Sequence, residues 1–103
     1  MNKQYFFVKL NPCRPDFAQT MTPEENDIMQ QHVGYWMKYM HEGKVLVFGP
    51  VLDPQAVYGV GVVAVENKEE LERIIDGDPA SKLNKYEFHP MRAMIANSLV
   101  NSN

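Results

Sequence analysis

An α+β sandwich, four antiparallel strands backed by two helices, is the fold this sequence predicts. Three observations carry the prediction. Four segments rich in β-branched and aromatic residues are separated by two polar stretches with helical apolar spacing, in the order β-α-β-β-α-β. The longer helical stretch opens on Thr22-Pro23-Glu24-Glu25, a capping box with proline at the first helical position. Turn signals at Asn11-Pro12, Arg14-Pro15-Asp16, Asp53-Pro54 and Gly77-Asp78-Pro79 fall between these segments, where a sandwich needs its chain reversals.

Residues 4–10, QYFFVKL, predict the first strand, which Asn11-Pro12 and Arg14-Pro15-Asp16 break because proline cannot donate to a ladder. The first helix is expected over about residues 23–42. The Thr22 hydroxyl takes an orphan amide of the first turn, Met29, Val33, Trp36 and Met40 recur at helical spacing, and Gly43 supplies a left-handed exit. Residues 44–49, KVLVFG, predict a second strand ended by Pro50, and a turn at Asp53-Pro54-Gln55 leads to a third strand over residues 57–65, VYGVGVVAV. Asn67 is placed to cap a second helix, with Glu69 and Glu70 in its first turn and Leu71, Ile74 and Ile75 on its apolar face. Gly77-Asp78-Pro79 ends that helix, one further turn is expected within 79–84, and Lys85 to Met91 forms the fourth strand. This order suits a ferredoxin-like sandwich. At 103 residues the chain is expected to be a single domain, with its core over about 4–92 and a C-terminal tail over 93–103.

A sheet covered on one side should alternate apolar and polar residues. Here Tyr58, Val60, Val62 and Ala64 oppose Val57, Val63, Val65 and two glycines, and Tyr5 and Phe7 oppose Phe6, Val8 and Leu10. Both faces are apolar. Two helices cover one, so the other is expected to meet a second copy of the chain in a homodimer packed sheet to sheet.

Composition sets outer bounds on function. Hydrophobic residues make up 45% and charged residues 22%, as in an ordinary globular protein. A formal net charge of −3 and a pI near 5.5 speak against nucleic acid as the partner, since phosphate binding needs a basic face. No apolar run is long enough to span a membrane. The first ten residues, MNKQYFFVKL, have too short an apolar run for a signal peptide. Cys13 is the sole cysteine, which excludes an internal disulfide and makes a reducing, cytoplasmic residence the expectation.

His32 draws attention because it shares a helical side with Ile28 and Trp36. One reading is a half-buried histidine bonded to a carbonyl or water. The other is a general acid or base, which would need a carboxylate to fix its tautomer, and Asp53 and Asp78 are the candidates. Both aspartates precede proline and also read as ordinary turn residues. Trp36 with Tyr35 and Tyr39 could wall a pocket for a planar ligand or belong to the core, and Trp36, Tyr35 and Tyr58 are the side chains expected to shape an apolar wall. His41 lies at a helix end, and His89 reads as a half-exposed strand residue. With no Cys or Glu at ligand spacing around the three histidines, no metal site is expected. Gly59 and Gly61 open no helix, so no dinucleotide fingerprint is present, and no cofactor is expected.

Taken in order, His32-x-x-Tyr35-Trp36, Gly43-Lys44 through Gly49-Pro50, Asp53, a glycine-containing strand, Asp78-Pro79 and His89-Pro90-Met91 resemble the YCII-related (YciI-like) domain family. The resemblance spans residues 5–92. It implies a dimeric α/β barrel of ferredoxin-like protomers and an enzyme that works through His32 with Asp78, and with Asp53 as a second acid near the mouth. Related barrels act by proton transfer on small aromatic or lactone compounds without metal or organic cofactor. Three positions depart from the family pattern. Met29 stands where an arginine is common, Ala80 where an aromatic follows Asp-Pro, and Asn84 where a glycine precedes the last strand. Loss of the arginine removes a partner for an anionic substrate, Ala80 is expected to open the pocket wall, and asparagine tolerates the left-handed conformation that glycine would supply. The resulting expectation is cofactor-independent acid–base chemistry on a small molecule. The alternative is a non-catalytic module that binds a metabolite in the same cavity, and a third is a purely structural homodimer.

Overall fold

The computed structural model describes residues 3–96. Its elements are β1 (Gln4–Asn11), α1 (Phe17–Thr20), α2 (Pro23–His41), β2 (Val45–Val51), β3 (Tyr58–Val65), α3 (Lys68–Gly77), a single 3-10 turn (Pro79–Lys82) and β4 (Lys85–Met91). The strands form one antiparallel sheet in the order β2-β3-β1-β4. Together with the two long helices this is the ferredoxin-like α+β sandwich. Among the described residues no helix is long and apolar enough to cross a membrane.

The register puts Phe6 opposite Val63, Val8 opposite Gly61 and Phe88, and Leu10 opposite Gly59 and Tyr86. These residues face the helices, and with Trp36, Val45, Leu71 and Ile74 they form the core. The other sheet face carries Tyr5, Phe7, Val60 and Val62, with Val47 57% and Met91 38% exposed. It is an apolar face that no described helix covers, and residues 93–96 line a cleft with its Val47, Val62 and Met91.

Three details depart from the sequence reading. β2 continues through Pro50 to Val51 rather than stopping before it. It can do so because β2 lies at a sheet edge, where a missing N–H costs no ladder bond. Pro90 is tolerated on the opposite edge for the same reason. The segment between β1 and α2 holds the short helix α1, whose Phe17 is buried. Val33 is 49% exposed rather than packed in the core, because its stretch of α2 overhangs a cavity.

The helix ends follow their chemistry. The Thr22 hydroxyl accepts from the Glu25 amide at 3.1 Å, and the Glu25 carboxylate accepts from the Thr22 amide at 2.9 Å. Arg14 grips the same carboxylate with two bonds of 3.0 and 2.8 Å, which pulls the Glu25 carboxyl down to about 2. Arg14 therefore ties the loop after β1 to the start of α2. Thr22→Ala should lower stability by about 1 kcal/mol, read as a shifted urea midpoint at unchanged slope. Gly43 leaves α2 with φ of 82°, a backbone conformation glycine adopts without strain. Asn67 caps α3 through the Glu70 amide at 2.9 Å, and Lys44 bridges to Glu70 at 2.6 Å.

Gly77 closes α3 against a tyrosine. The Tyr35 hydroxyl donates to the Ile74 carbonyl at 2.8 Å, and a Cβ at position 77 would run into that hydroxyl. Helix propensity favours alanine over glycine by up to about 1 kcal/mol, so the sign of Gly77→Ala rests on the collision. The phenol is held by its hydrogen bond, and the substitution should therefore destabilise by about 1–2 kcal/mol. In a Tyr35→Phe background the same change should be neutral or stabilising, a non-additivity that a double-mutant cycle reads directly.

Candidate active site

Asp78 lies between the end of α3 and the 3-10 turn, with extended backbone as expected before proline. Oδ1 accepts the Ala80 amide at 2.9 Å and so caps the turn. Oδ2 points into the sandwich, although the residue is only 1% exposed. There it accepts His32 Nδ1 at 2.7 Å, Trp36 Nε1 at 2.6 Å and the Tyr86 hydroxyl. One short polar side chain thus caps the start of the 3-10 turn and collects donors from α2 and β4. Positions 32 and 36 reach the same oxygen because residues four apart share a helix face.

Burial alone would raise the Asp78 carboxyl, but the bonds from His32, Tyr86 and the Ala80 amide outweigh it and hold the group below its ordinary value. Asp78 is therefore a carboxylate, which only accepts, so His32 Nδ1 is the donor. In the neutral imidazole the remaining lone pair then lies on Nε2. Burial, followed by the Asp78 charge, raises the Tyr86 phenol, which stays protonated as a donor.

His32 lines a cavity of about 470 Å³ between α2 and the helix-facing side of the sheet. The room comes from β3. On its helix-facing side the strand carries Gly59 and Gly61 at one end and Val63 and Val65 at the other, so the sandwich is hollow at one end and packed at the other. A Cβ on Gly61 would stand 3.3 Å from the Trp36 ring and the Val47 carbonyl, and one on Gly59 3.3 Å from Leu10 Cβ. The Trp36 ring is stacked on Tyr86 at a centroid distance of 6.1 Å and tilted against Phe48 at 6.0 Å. Phe17 and Met21 form the wall contributed by the loop around α1, while Val33 and Leu52 stand at the rim.

The sequence-predicted residues divide into two groups. His32, Trp36 and Asp78 meet at one carboxylate oxygen, while Tyr58 reaches the cavity edge only along β3, its ring lying with Lys9 on the other face of the sheet. Asp53 stands in the turn after β2, where its Oδ1 accepts the Gln55 amide at 2.9 Å, and it is not among the cavity-lining residues. Tyr35 is also off the cavity, with its hydroxyl spent on Ile74 and its phenol raised by burial and by Tyr39. His41 ends α2, and His89 is exposed beside Glu87. Among the described residues no three His, Cys, Asp or Glu side chains converge as metal ligands.

Two inferences drawn from departures need correction. Ala80 does not open the pocket wall. It is fully buried in the 3-10 turn, away from the cavity. Asn84 does not substitute for a left-handed glycine, since no described residue other than glycine has positive φ. It serves through its side chain, accepting the Cys13 amide at 3.0 Å and donating to the Met29 sulfur at 3.7 Å. Tyr86 and the two β3 glycines are the parts that sequence reasoning missed. A signal for the glycines was present: alternate positions of an apolar strand face without side chains leave a hollow.

The sequence profile of the YCII-related domain family matches residues 5–95. No curated protein is recognisably similar in sequence. Among solved structures, the 5-chloro-2-hydroxyhydroquinone dehydrochlorinase from Burkholderia phenoliruptrix, in complex with 2,5-dihydroxybenzoquinone, superposes with a TM-score of 0.64 at 18% identity. The alignment covers 86% of this chain and 95% of that one. At this identity the likeness is one of fold.

Proposed function

This chain belongs to the YCII-related domain family, and from that premise we propose that it is a small-molecule enzyme whose general base is His32. The observation that carries the proposal is the 2.7 Å contact between His32 Nδ1 and a buried carboxylate at the wall of a cavity. Asp78 fixes the ring and its tautomer, which leaves Nε2 as the basic atom. On proton transfer from a substrate C–H or O–H, Nε2 becomes N–H, and the electron pair stays on the substrate or expels a leaving group. The imidazolium so formed is stabilised by the carboxylate already bonded to it. A carboxylate that strengthens its interaction as charge develops lowers the barrier rather than merely binding the substrate.

His32 is the catalytic residue in this reading, and Asp78 is a positioning residue that acts through it. Trp36 and Tyr86 complete the shell of Asp78 and shape the cavity wall, whereas the Tyr58 ring lies with Lys9 on the other face of the sheet. Tyr35 supports α2 from behind, and Asp53 holds its own turn. The solved fold neighbour is named for removal of hydrogen chloride from a hydroxylated ring, a reaction that also requires a proton to be taken. The uncovered apolar sheet face, with Tyr5, Phe7, Val47 and Val62, supports burial against a second copy of the chain. The sole cysteine, free and exposed, supports a cytoplasmic residence.

A substrate-independent readout tests the base. Incubated in D2O with a panel of hydroxylated aromatics and cyclic enones, the protein should speed deuterium incorporation into at least one compound, and His32→Gln should not. Equal exchange with the two proteins across the panel would contradict the proposal. The metabolite-binding alternative predicts that equality.

A further inference from the structure

We infer that the cavity selects uncharged, largely apolar substrates and excludes carboxylates and phosphates. The inference rests on the reading of the cavity as the substrate site and adds the class of molecule that enters it.

Among the described residues, the cavity lining contains no Lys, Arg, Asp or Glu. It is built from aliphatic, aromatic and methionine side chains, with His32, Gln19, Asn84 and Tyr86 as its polar members. Asn84 is committed to Cys13 and Met29, and the Tyr86 hydroxyl to Asp78. Two cations stack on rings near the cavity, and neither is available to an anion within. Arg14 lies 5.1 Å from the Phe17 ring but is forked onto Glu25. Lys9 lies 4.6 Å from the Tyr58 ring, and the register places both side chains on the opposite face of the sheet.

The fixed charge behind the wall is negative. Asp78 stands directly behind His32. A carboxylate entering the cavity would lose its hydration, meet no cation and be repelled by Asp78. A neutral molecule meets none of these costs. When His32 takes its proton, the new anion faces a new imidazolium, so the attraction exists only after proton transfer. Such a site disfavours a charge brought in and favours one generated inside it.

A matched pair of probes tests the inference without any turnover. At pH 7, 2-naphthol is neutral and 2-naphthoate is anionic on the same ring system. Calorimetric titration should show 2-naphthol binding at least about tenfold more tightly, a difference of about 1.4 kcal/mol. Its binding should shift the Trp36 indole N–H resonance. Equal affinity, a preference for naphthoate, no binding of either, or naphthol binding that leaves Trp36 unperturbed would each overturn the inference. Val33→Arg adds a cation at the half-exposed rim and should raise naphthoate affinity severalfold with little change for naphthol; an unchanged ratio would also count against it. Deuterium exchange on the same samples reports the base separately. If the preference fails while exchange persists, only the substrate class is wrong, and if the preference holds without exchange, only the base is wrong.

Discussion

Replacing His32 by glutamine should lower substrate turnover, read as deuterium exchange or product formation, by about 10²–10⁴-fold, the usual worth of a positioned general base. Glutamine is the informative replacement because its amide keeps an N–H donor for Asp78 while offering no base near neutral pH. The fold should therefore stand, with Trp36 and Tyr86 still bonded to the carboxylate. Phenylalanine asks a different question. It removes one hydrogen bond to a buried charge and should cost about 1.5–3 kcal/mol in stability. A purely structural role for this histidine predicts the same stability loss in the phenylalanine variant but no loss of exchange in the glutamine one. Thermal unfolding and exchange kinetics together separate these readings.

Asp78→Ala should be the most destabilising single change, by about 3–5 kcal/mol, because it strands donors gathered around a buried carboxylate. His32, Trp36, Tyr86 and the Ala80 amide would all lose their acceptor. Asp78→Asn is milder yet cannot satisfy the site. With its oxygen toward His32, its NH2 meets the Ala80 amide, and the reverse orientation turns the NH2 on the other three donors. The effect carries a pH signature. The native carboxyl lies below the ordinary value of 3.8, so the unfolded chain binds the proton first as the medium is acidified. The Asp78 contribution is thus complete above about pH 4 and is lost as the pH falls from there through the native value. Glu25 and Glu70, also held low, contribute with the same sign. Comparison with Asp78→Asn isolates Asp78: the stability gap between the two proteins should be widest near neutrality and narrow in strong acid. Urea titrations across that range give the gap directly.

The helices were legible because their ends are local. Thr22, Glu25 and Asn67 bond amides within three residues, Pro23 sits where no N–H is needed, and each does what its position predicts. The strands were legible in kind but not in extent, since Pro50 stops a central strand and not an edge one, and sequence does not say which strand is the edge. The site is harder. His32 and Asp78 are 46 positions apart, and nothing in their separate neighbourhoods joins them. Asp78 looked like a turn residue, and it is one, through Oδ1. Its second oxygen carries the site. The residues alone leave Asp53 and Asp78 as alternative partners; the family resemblance puts Asp78 first and keeps Asp53 as a second acid, a residue the fold leaves in its turn. Tyr86 escaped notice because it reads as one more strand aromatic. The cavity escaped because its cause is two missing side chains on β3.

The most direct test of the account is the tautomer of His32, read by long-range proton–nitrogen correlation on the uniformly 15N-labelled protein above the pH at which the ring becomes neutral. The account predicts a protonated Nδ1 and an unprotonated Nε2, with a shift toward tautomer averaging in Asp78→Asn. A ring protonated at Nε2 in the unsubstituted protein, or one that averages both tautomers as a free imidazole does, would contradict it.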